Sequence, residues 1–212
     1  MLARTLSAIA SLRARAGSAG PPRESLIAEH VRGRSFVDVG CMWSVHGALC
    51  FAAEDAGAAT VTGVDVMGPT ERFDAERARR DSAVRFVQGD MHEPATIAEI
   101  GPHDIVWCSG VLYHAPHPLL TLERLRELTA RTLLLATETI AETPGRRGTC
   151  VIAPTRAEHP NAEPADRPGA GYGPWYWGIT PSALRTMLAL TGFAVVEEHR
   201  TPFHVTVVAS LT

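Results

Sequence analysis

Between residues 34 and 138 the chain alternates short β-rich runs with longer stretches of helical spacing. The runs at 35–39, 60–65, 83–88, 104–109 and 132–138 predict strands, the last nearly all apolar, as a strand buried on both faces of a parallel sheet must be. Segments 45–56, 70–80 and 118–130 are long enough for crossover helices, and 94–100 reads as a short turn. Repeated βα units of this kind predict an α/β domain, a doubly wound sheet covered on both faces.

After Glu138 the pattern changes. Residues 142–178 hold six Pro and six Gly with almost no apolar periodicity, so they read as a long lid or substrate loop. Thr180-Pro181-Ser182 then marks a helix start, with the helix running through Leu190 to a stop at Gly192. Runs 193–199 and 204–211 are strands joined by a turn at Thr201-Pro202, and with no helix between them they must pair antiparallel. At the other end, Leu2, Leu6, Ile9 and Leu12 recur at helical spacing, so 1–33 reads as a helical segment ahead of a domain at 34–212. The first 23 residues of that segment carry Arg4, Arg13, Arg15 and Arg23 with no acid, a composition that also suits a transit peptide. Its apolar face is expected to lie on the domain or on a partner, which leaves room for a homodimer.

Composition narrows the chemistry. All 20 basic residues among the 212 are arginine, and without a lysine there can be no P-loop lysine and no Schiff-base enzyme. A net charge of −3 argues against a nucleic-acid partner, which would normally leave a basic stripe. No apolar run approaches the roughly 20 residues of a membrane span, so no membrane partner is expected. Cys41, Cys50, Cys108 and Cys150 lack CxxC spacing, which favours free thiols in a reducing cytoplasm.

Ligands of a doubly wound sheet bind at the carboxyl ends of its strands, where strand order reverses. After the first strand, Asp38-Val39-Gly40-Cys41 leads into a turn whose Gly40 permits close backbone approach, with Met42 and Ser44 where further glycines are usual. Asp65, 25 residues beyond Gly40, ends the second strand in position to accept ribose hydroxyls. Asp90 and Met91 follow the third, suited to an adenine amino group and ring, and Ser109 opens Ser109-Gly110-Val111-Leu112-Tyr113-His114 after the fourth. Three successive strand ends thus present groups that adenosine requires. Each could also serve a simple turn.

These segments resemble the class I S-adenosylmethionine-dependent methyltransferases over residues 34–212, and the terminal hairpin suits their Rossmann-like seven-stranded sheet. Gly110 to His114, Glu138-Thr139-Ile140 and the stretch from Ile179 to Leu184 are similar to the core of the tRNA wobble-uridine carboxymethyltransferase-like family. The resemblance implies S-adenosyl-L-methionine as cofactor. It would place Asp38 and Gly40 at the methionine end, Asp65 at the ribose, Asp90 and Met91 at the adenine, Ser109 near the sulfonium and Tyr113 beside the transferred group.

An oxygen nucleophile needs its proton removed, and His114 is the first candidate base, Glu138 the second and His117 the third. Each has a plain structural alternative, a backbone-satisfied histidine or a capping acid. Trp175, Tyr176 and Trp177 form an aromatic wall for substrate, or else anchor the loop. Asp104, Glu138 and nearby histidines could gather a divalent ion, but their spacing predicts none, and no metal is expected. The leading reading is O-methylation of a small-molecule acceptor, such as a sugar or secondary metabolite. A wobble-uridine-type tRNA methyltransferase, a non-catalytic scaffold and an NAD-dependent dehydrogenase remain alternatives, the last disfavoured by the broken glycine fingerprint and the terminal hairpin.

Overall fold

Alternation along the strands decides which side chain meets which helix layer. In the computed structural model, which describes residues 21–142, 144–152 and 176–212, the elements follow in the order α1 Arg23–Val31, β1 Ser35–Val39, α2 Ala48–Asp55, β2 Thr60–Asp65, α3 Glu71–Arg80, β3 Arg85–Gln88, α4 Pro94–Ile100 and β4 His103–Ser109. A 3-10 turn, Leu112–His114, leads to α5 Pro118–Leu128 and β5 Thr129–Glu138, and then to a short hairpin of β6 Cys150–Ile152 and β7 Trp177–Ile179. The chain closes with α6 Pro181–Leu190, β8 Phe193–Thr201 and β9 His204–Leu211.

The main sheet has seven strands in the order β3-β2-β1-β4-β5-β9-β8, parallel through β5 and antiparallel at β9 and β8. Along β4, Ile105 and Trp107 pack with Leu26 of α1, Phe51 of α2 and Phe73 of α3, while Val106 and Cys108 pack with Ile97 of α4, Leu122 of α5 and Leu184 of α6. Leu133, Leu134 and Leu135 of β5 divide the same way and are all fully buried, which makes β5 the centre of both cores. Burial of each such side chain is worth about 1.5–3 kcal/mol, which fixes the register.

Several expected boundaries move. The second helix begins at Ala48 and not at 45, because Ser44, His46 and Gly47 have φ of 59°, 50° and 73°, left-handed values that a right-handed helix excludes. Segment 94–100 is a true helix, with Pro94 in its first turn and Ile97 and Ile100 buried three residues apart. The fifth strand starts at Thr129, whose hydroxyl donates to Leu125 O and ends α5 there. The segment expected to be a structureless loop supplies the β6–β7 pair, with Cys150 opposite Ile179 and Ile152 opposite Trp177. The predicted helix within 1–20, residues 153–175 of the lid and Trp175 lie outside the described residues. No helix among the described residues is long and apolar enough to cross a membrane.

Candidate functional site

Strand order reverses between β1 and β4, and the carboxyl ends of these strands open the crevice that the topology reserves for a ligand. Gly40 ends β1 with φ 81°, its N–H donating to Val64 O at 2.9 Å. A Cβ at this position would stand 2.5 Å from Val111 Cγ2 and 3.8 Å from Ser109 O, so the absent side chain keeps the β1 and β4 loops apart by no more than backbone width. Residues 41–47 then fold into a chain of tight turns, with Gly47 N donating to Cys41 O at 2.7 Å and His46 N to Met42 O at 3.1 Å.

Asp65 holds this loop. Its Oδ2 accepts from Met42 N at 2.8 Å and its Oδ1 from Met67 N at 2.9 Å, with only 7% of the residue exposed. Each carboxylate oxygen has a lone pair to spare for a ribose hydroxyl. Burial raises its pKa above the usual carboxylate range, and the backbone N–H groups of Met67, Met42, Trp43 and Val66 partly offset that.

Asp38 sits beneath the loop, 2% exposed, on the α2 side of the sheet, and accepts from the Cys50 thiol at 3.7 Å. Burial first, then the charge of Asp65, pushes its carboxyl up to about 7. Cys50 in turn bonds to Cys41, and that bond together with burial drives the Cys50 thiol well above its ordinary range. This buried cluster was invisible in the sequence, where the two cysteines are nine positions apart without a recognisable motif.

At the end of β3, Asp90 Oδ1 accepts from His92 N at 2.8 Å and lies 3.1 Å from His92 Nδ1, while His92 Nε2 meets Thr121 Oγ1 of α5 at 2.8 Å. The chain Asp90–His92–Thr121 aims the carboxylate from behind, a role nothing in the sequence assigned to His92. Met91, by contrast, is 4% exposed and part of the core, so only its edge remains for an adenine ring. Ser109 is half-buried at the end of β4.

A second group of side chains gathers beside β4 and β5. Tyr113 and His114 are half-buried in the 3-10 turn, with ring centroids 4.3 Å apart. Tyr176 stands edge-on to both, at 5.5 Å from Tyr113 and 5.8 Å from His114. Its hydroxyl donates to Glu138 at the end of β5, and Trp177 Nε1 donates to Ala115 O at 2.9 Å. Tyr176 and Trp177 therefore bind the end of the long loop to the β4 loop. His204, which no pattern in the sequence singled out, faces Glu138 across the β5–β9 pairing and is kept below its ordinary range by burial and then by Arg23, against the opposing pull of Glu138. Knowing the antiparallel register would have found it.

Other expectations separate. His117 is exposed and begins α5. Asp104 lies at the amino end of β4, accepting from Ser35 N at 3.1 Å and from Ser35 Oγ at 3.0 Å, while Glu138 lies at the carboxyl end of the neighbouring parallel strand β5, so the two cannot share an ion. No group of three or more metal-ligating side chains occurs among the described residues. Cys41, Cys50 and Cys108 are buried free thiols and Cys150 is exposed.

Residues 37–132 match the family described as a methyltransferase domain. Among solved structures, the N-terminal domain of EvdMO1, crystallised with SAH bound and also in the presence of SAH and D-fucose, superposes with TM-score 0.66 at 18% identity. That match covers 89% of this chain and, for the SAH complex, 79% of the N-terminal-domain chain. An S-adenosylmethionine-dependent methyltransferase from Mesorhizobium loti gives 0.65 at 19% identity over 92% of this chain and 98% of its own. The cyclase SpnF gives 0.61 at 15% identity over 89% and 79%. No curated protein sequence matches. The likeness establishes a Rossmann-like methyltransferase fold for this chain.

Proposed function

We propose that the chain is an S-adenosylmethionine-dependent methyltransferase that methylates a hydroxyl oxygen of a small acceptor, a sugar or secondary metabolite, in the cytoplasm. The cofactor half of this reading is supported by the methyltransferase-domain match, by the SAH-bound neighbour, and by an Asp65 carboxylate with spare lone pairs at the strand ends beside the point where strand order reverses. The acceptor half is carried by one observation, the convergence of Tyr113, His114, Tyr176 and Glu138 at the edge where the crevice opens.

Asp65 would hold the ribose, Asp90 and the edge of Met91 the adenine, and Gly40 with the β1 loop the methionine end. When bound, S-adenosylmethionine supplies a methyl group already activated on a sulfonium. The protein's own task is alignment of the acceptor oxygen and exclusion of water. His114 takes the proton from the acceptor hydroxyl as the new bond forms, a contribution of roughly 10²–10⁴-fold for a positioned base. Glu138, held by the Tyr176 phenol, accepts a second hydrogen bond from the acceptor and fixes its approach. The rings of Tyr113 and Tyr176 cover the imidazole and keep bulk water from it.

Calorimetric titration with S-adenosylhomocysteine, with NAD as control, tests the cofactor. Micromolar binding that Asp65→Ala weakens at least tenfold is expected, and no binding would overturn the reading. With binding in hand, a screen of hydroxylated acceptors should find turnover that His114→Ala lowers by about 10²-fold or more while leaving S-adenosylhomocysteine affinity intact. An acceptor transformed without gain of a methyl group would move the chain toward cyclase-like chemistry on the same fold.

A further inference from the structure

The turn at 144–149 and the first turns of α6 line an open surface cavity of about 1160 Å³ that the methyl-transfer reading does not use. Arg146 and Arg147 line it from the turn and Arg185 from the helix, with Glu142 the one carboxylate on its wall. The turn is fastened in place, since Gly148 N donates to Ser182 Oγ at 2.9 Å and Thr149 N to Thr180 Oγ1 at 3.0 Å. Glu142 already occupies the helix N-terminus, accepting from Ser182 N at 2.7 Å and from Ser182 Oγ at 2.6 Å. Arg185 pairs with Glu198 at 3.2 Å, on the exposed side of the helix. Among the described residues no carboxylate pairs with Arg146 or Arg147.

Arg200 shares Glu198 with Arg185, so four guanidiniums face the two carboxylates Glu142 and Glu198, which leaves a surplus of two positive charges around one concave space. A carboxylate ligand would cancel half of that surplus, whereas a phosphate ester carries about −1.5 to −2 at neutral pH and offers the oxygen geometry that the arginine fork matches. We propose that this cavity binds the phosphate or diphosphate group of the acceptor, which is therefore a phosphorylated small molecule. The β6–β7 hairpin supports the link: Cys150 and Ile179 lie at its cavity end and Ile152 and Trp177, next to Tyr176, at the other. Its three-residue strands put about 7 Å, two steps of about 3.3 Å, between those two pairs, a distance that a phosphorylated small molecule can bridge. Naming the ligand as the acceptor rests on the methyl-transfer reading; the oxyanion site itself does not.

The test is calorimetric titration of the full chain with inorganic pyrophosphate at 150 mM salt, with acetate and unfractionated tRNA in parallel. Saturable pyrophosphate binding is expected, weakened about tenfold or more in Arg146→Gln/Arg147→Gln and several-fold in Arg185→Gln, with S-adenosylhomocysteine affinity unchanged in both. Pyrophosphate binding no tighter than that of acetate, or binding indifferent to all three substitutions, would overturn the site. Displacement of pyrophosphate by tRNA would overturn the small-molecule assignment in favour of a nucleic-acid phosphate. Wild-type protein that binds pyrophosphate but not S-adenosylhomocysteine would leave the oxyanion site standing and remove the acceptor assignment with the proposed function.

Discussion

At the scale of single residues, the loop after β1 shows how backbone geometry can outlast the residue type usually read as its sign. Gly40 meets two demands at once, a φ of 81° and a vacant Cβ position 2.5 Å from Val111 Cγ2. Gly40→Ala should cost about 2–4 kcal/mol, the left-handed penalty of roughly 1–2 plus overpacking. Adding Val111→Ala should return the packing share and leave the conformational one, as urea unfolding of the single and double variants would show; no recovery would mean the clash is not the cause. Ser44 stands where a glycine was expected, yet it holds φ 59°, the conformation glycine adopts most readily. Ser44→Gly should therefore be neutral or stabilising by up to about 1 kcal/mol, whereas an ordinary loop Ser→Gly change loosens the chain. A clear drop in the urea midpoint would refute that. The sequence showed two missing glycines, but no residue type encodes φ, so the surviving turn was legible only in the coordinates.

At the scale of elements, what was legible depended on whether a segment's pattern reflects its own burial or a partner's. The five parallel strands were readable because each is buried by helices next to it in sequence, so hydrophobicity and order coincide. The β6–β7 hairpin was not, since its strands are three residues each and lie far apart in a Pro/Gly-rich stretch, and β6 is exposed throughout. Its function is to deliver Tyr176 and Trp177, whose bonds to Glu138 and Ala115 tie the end of the long loop to the 3-10 turn. Of the candidate site, the strand-end carboxylates and the Tyr113-His114 pair could be named from the sequence, while the Tyr176–Glu138 bond and His204 depended on register. Tyr176→Phe keeps the ring contacts with Tyr113 and His114 and removes only a hydrogen bond to a charged group, worth about 1.5–3 kcal/mol. If Glu138 fixes the acceptor, the variant should raise KM for the acceptor or lower kcat by roughly 10-fold with S-adenosylhomocysteine affinity unchanged. Unaltered steady-state kinetics would reduce Tyr176 to a structural anchor.

For the whole molecule, buried carboxyl and imidazole groups make opposite demands on pH. Asp38 has its carboxyl pushed from 3.8 to about 7, so between those values the fold keeps a proton that the unfolded chain has released. This contribution is complete below 3.8 and is lost as pH rises through about 7, a difference of about 4 kcal/mol at 1.36 kcal/mol per pH unit. His103, held down by burial while bonded to Gly101 O and Thr62 Oγ1, and His204, held down by burial and Arg23, act the other way. Their contribution is present above 6.5 and is lost as pH falls through their depressed folded values, because the unfolded chain takes up protons that the fold refuses. Between about pH 4 and 6.5 the two slopes oppose each other, and the native stability profile should be shallow there. Asp38→Asn removes only the falling slope and keeps an oxygen to accept from the Cys50 thiol. Its urea midpoint should climb from pH 4.5 to about 6.5 and then level off, with an advantage over the native protein that grows up to about pH 7. An advantage of equal size at both ends would mean that the carboxyl is already ionised in the fold at pH 4.5, and that the Cys50 thiol and the neighbouring backbone solvate its charge despite the burial.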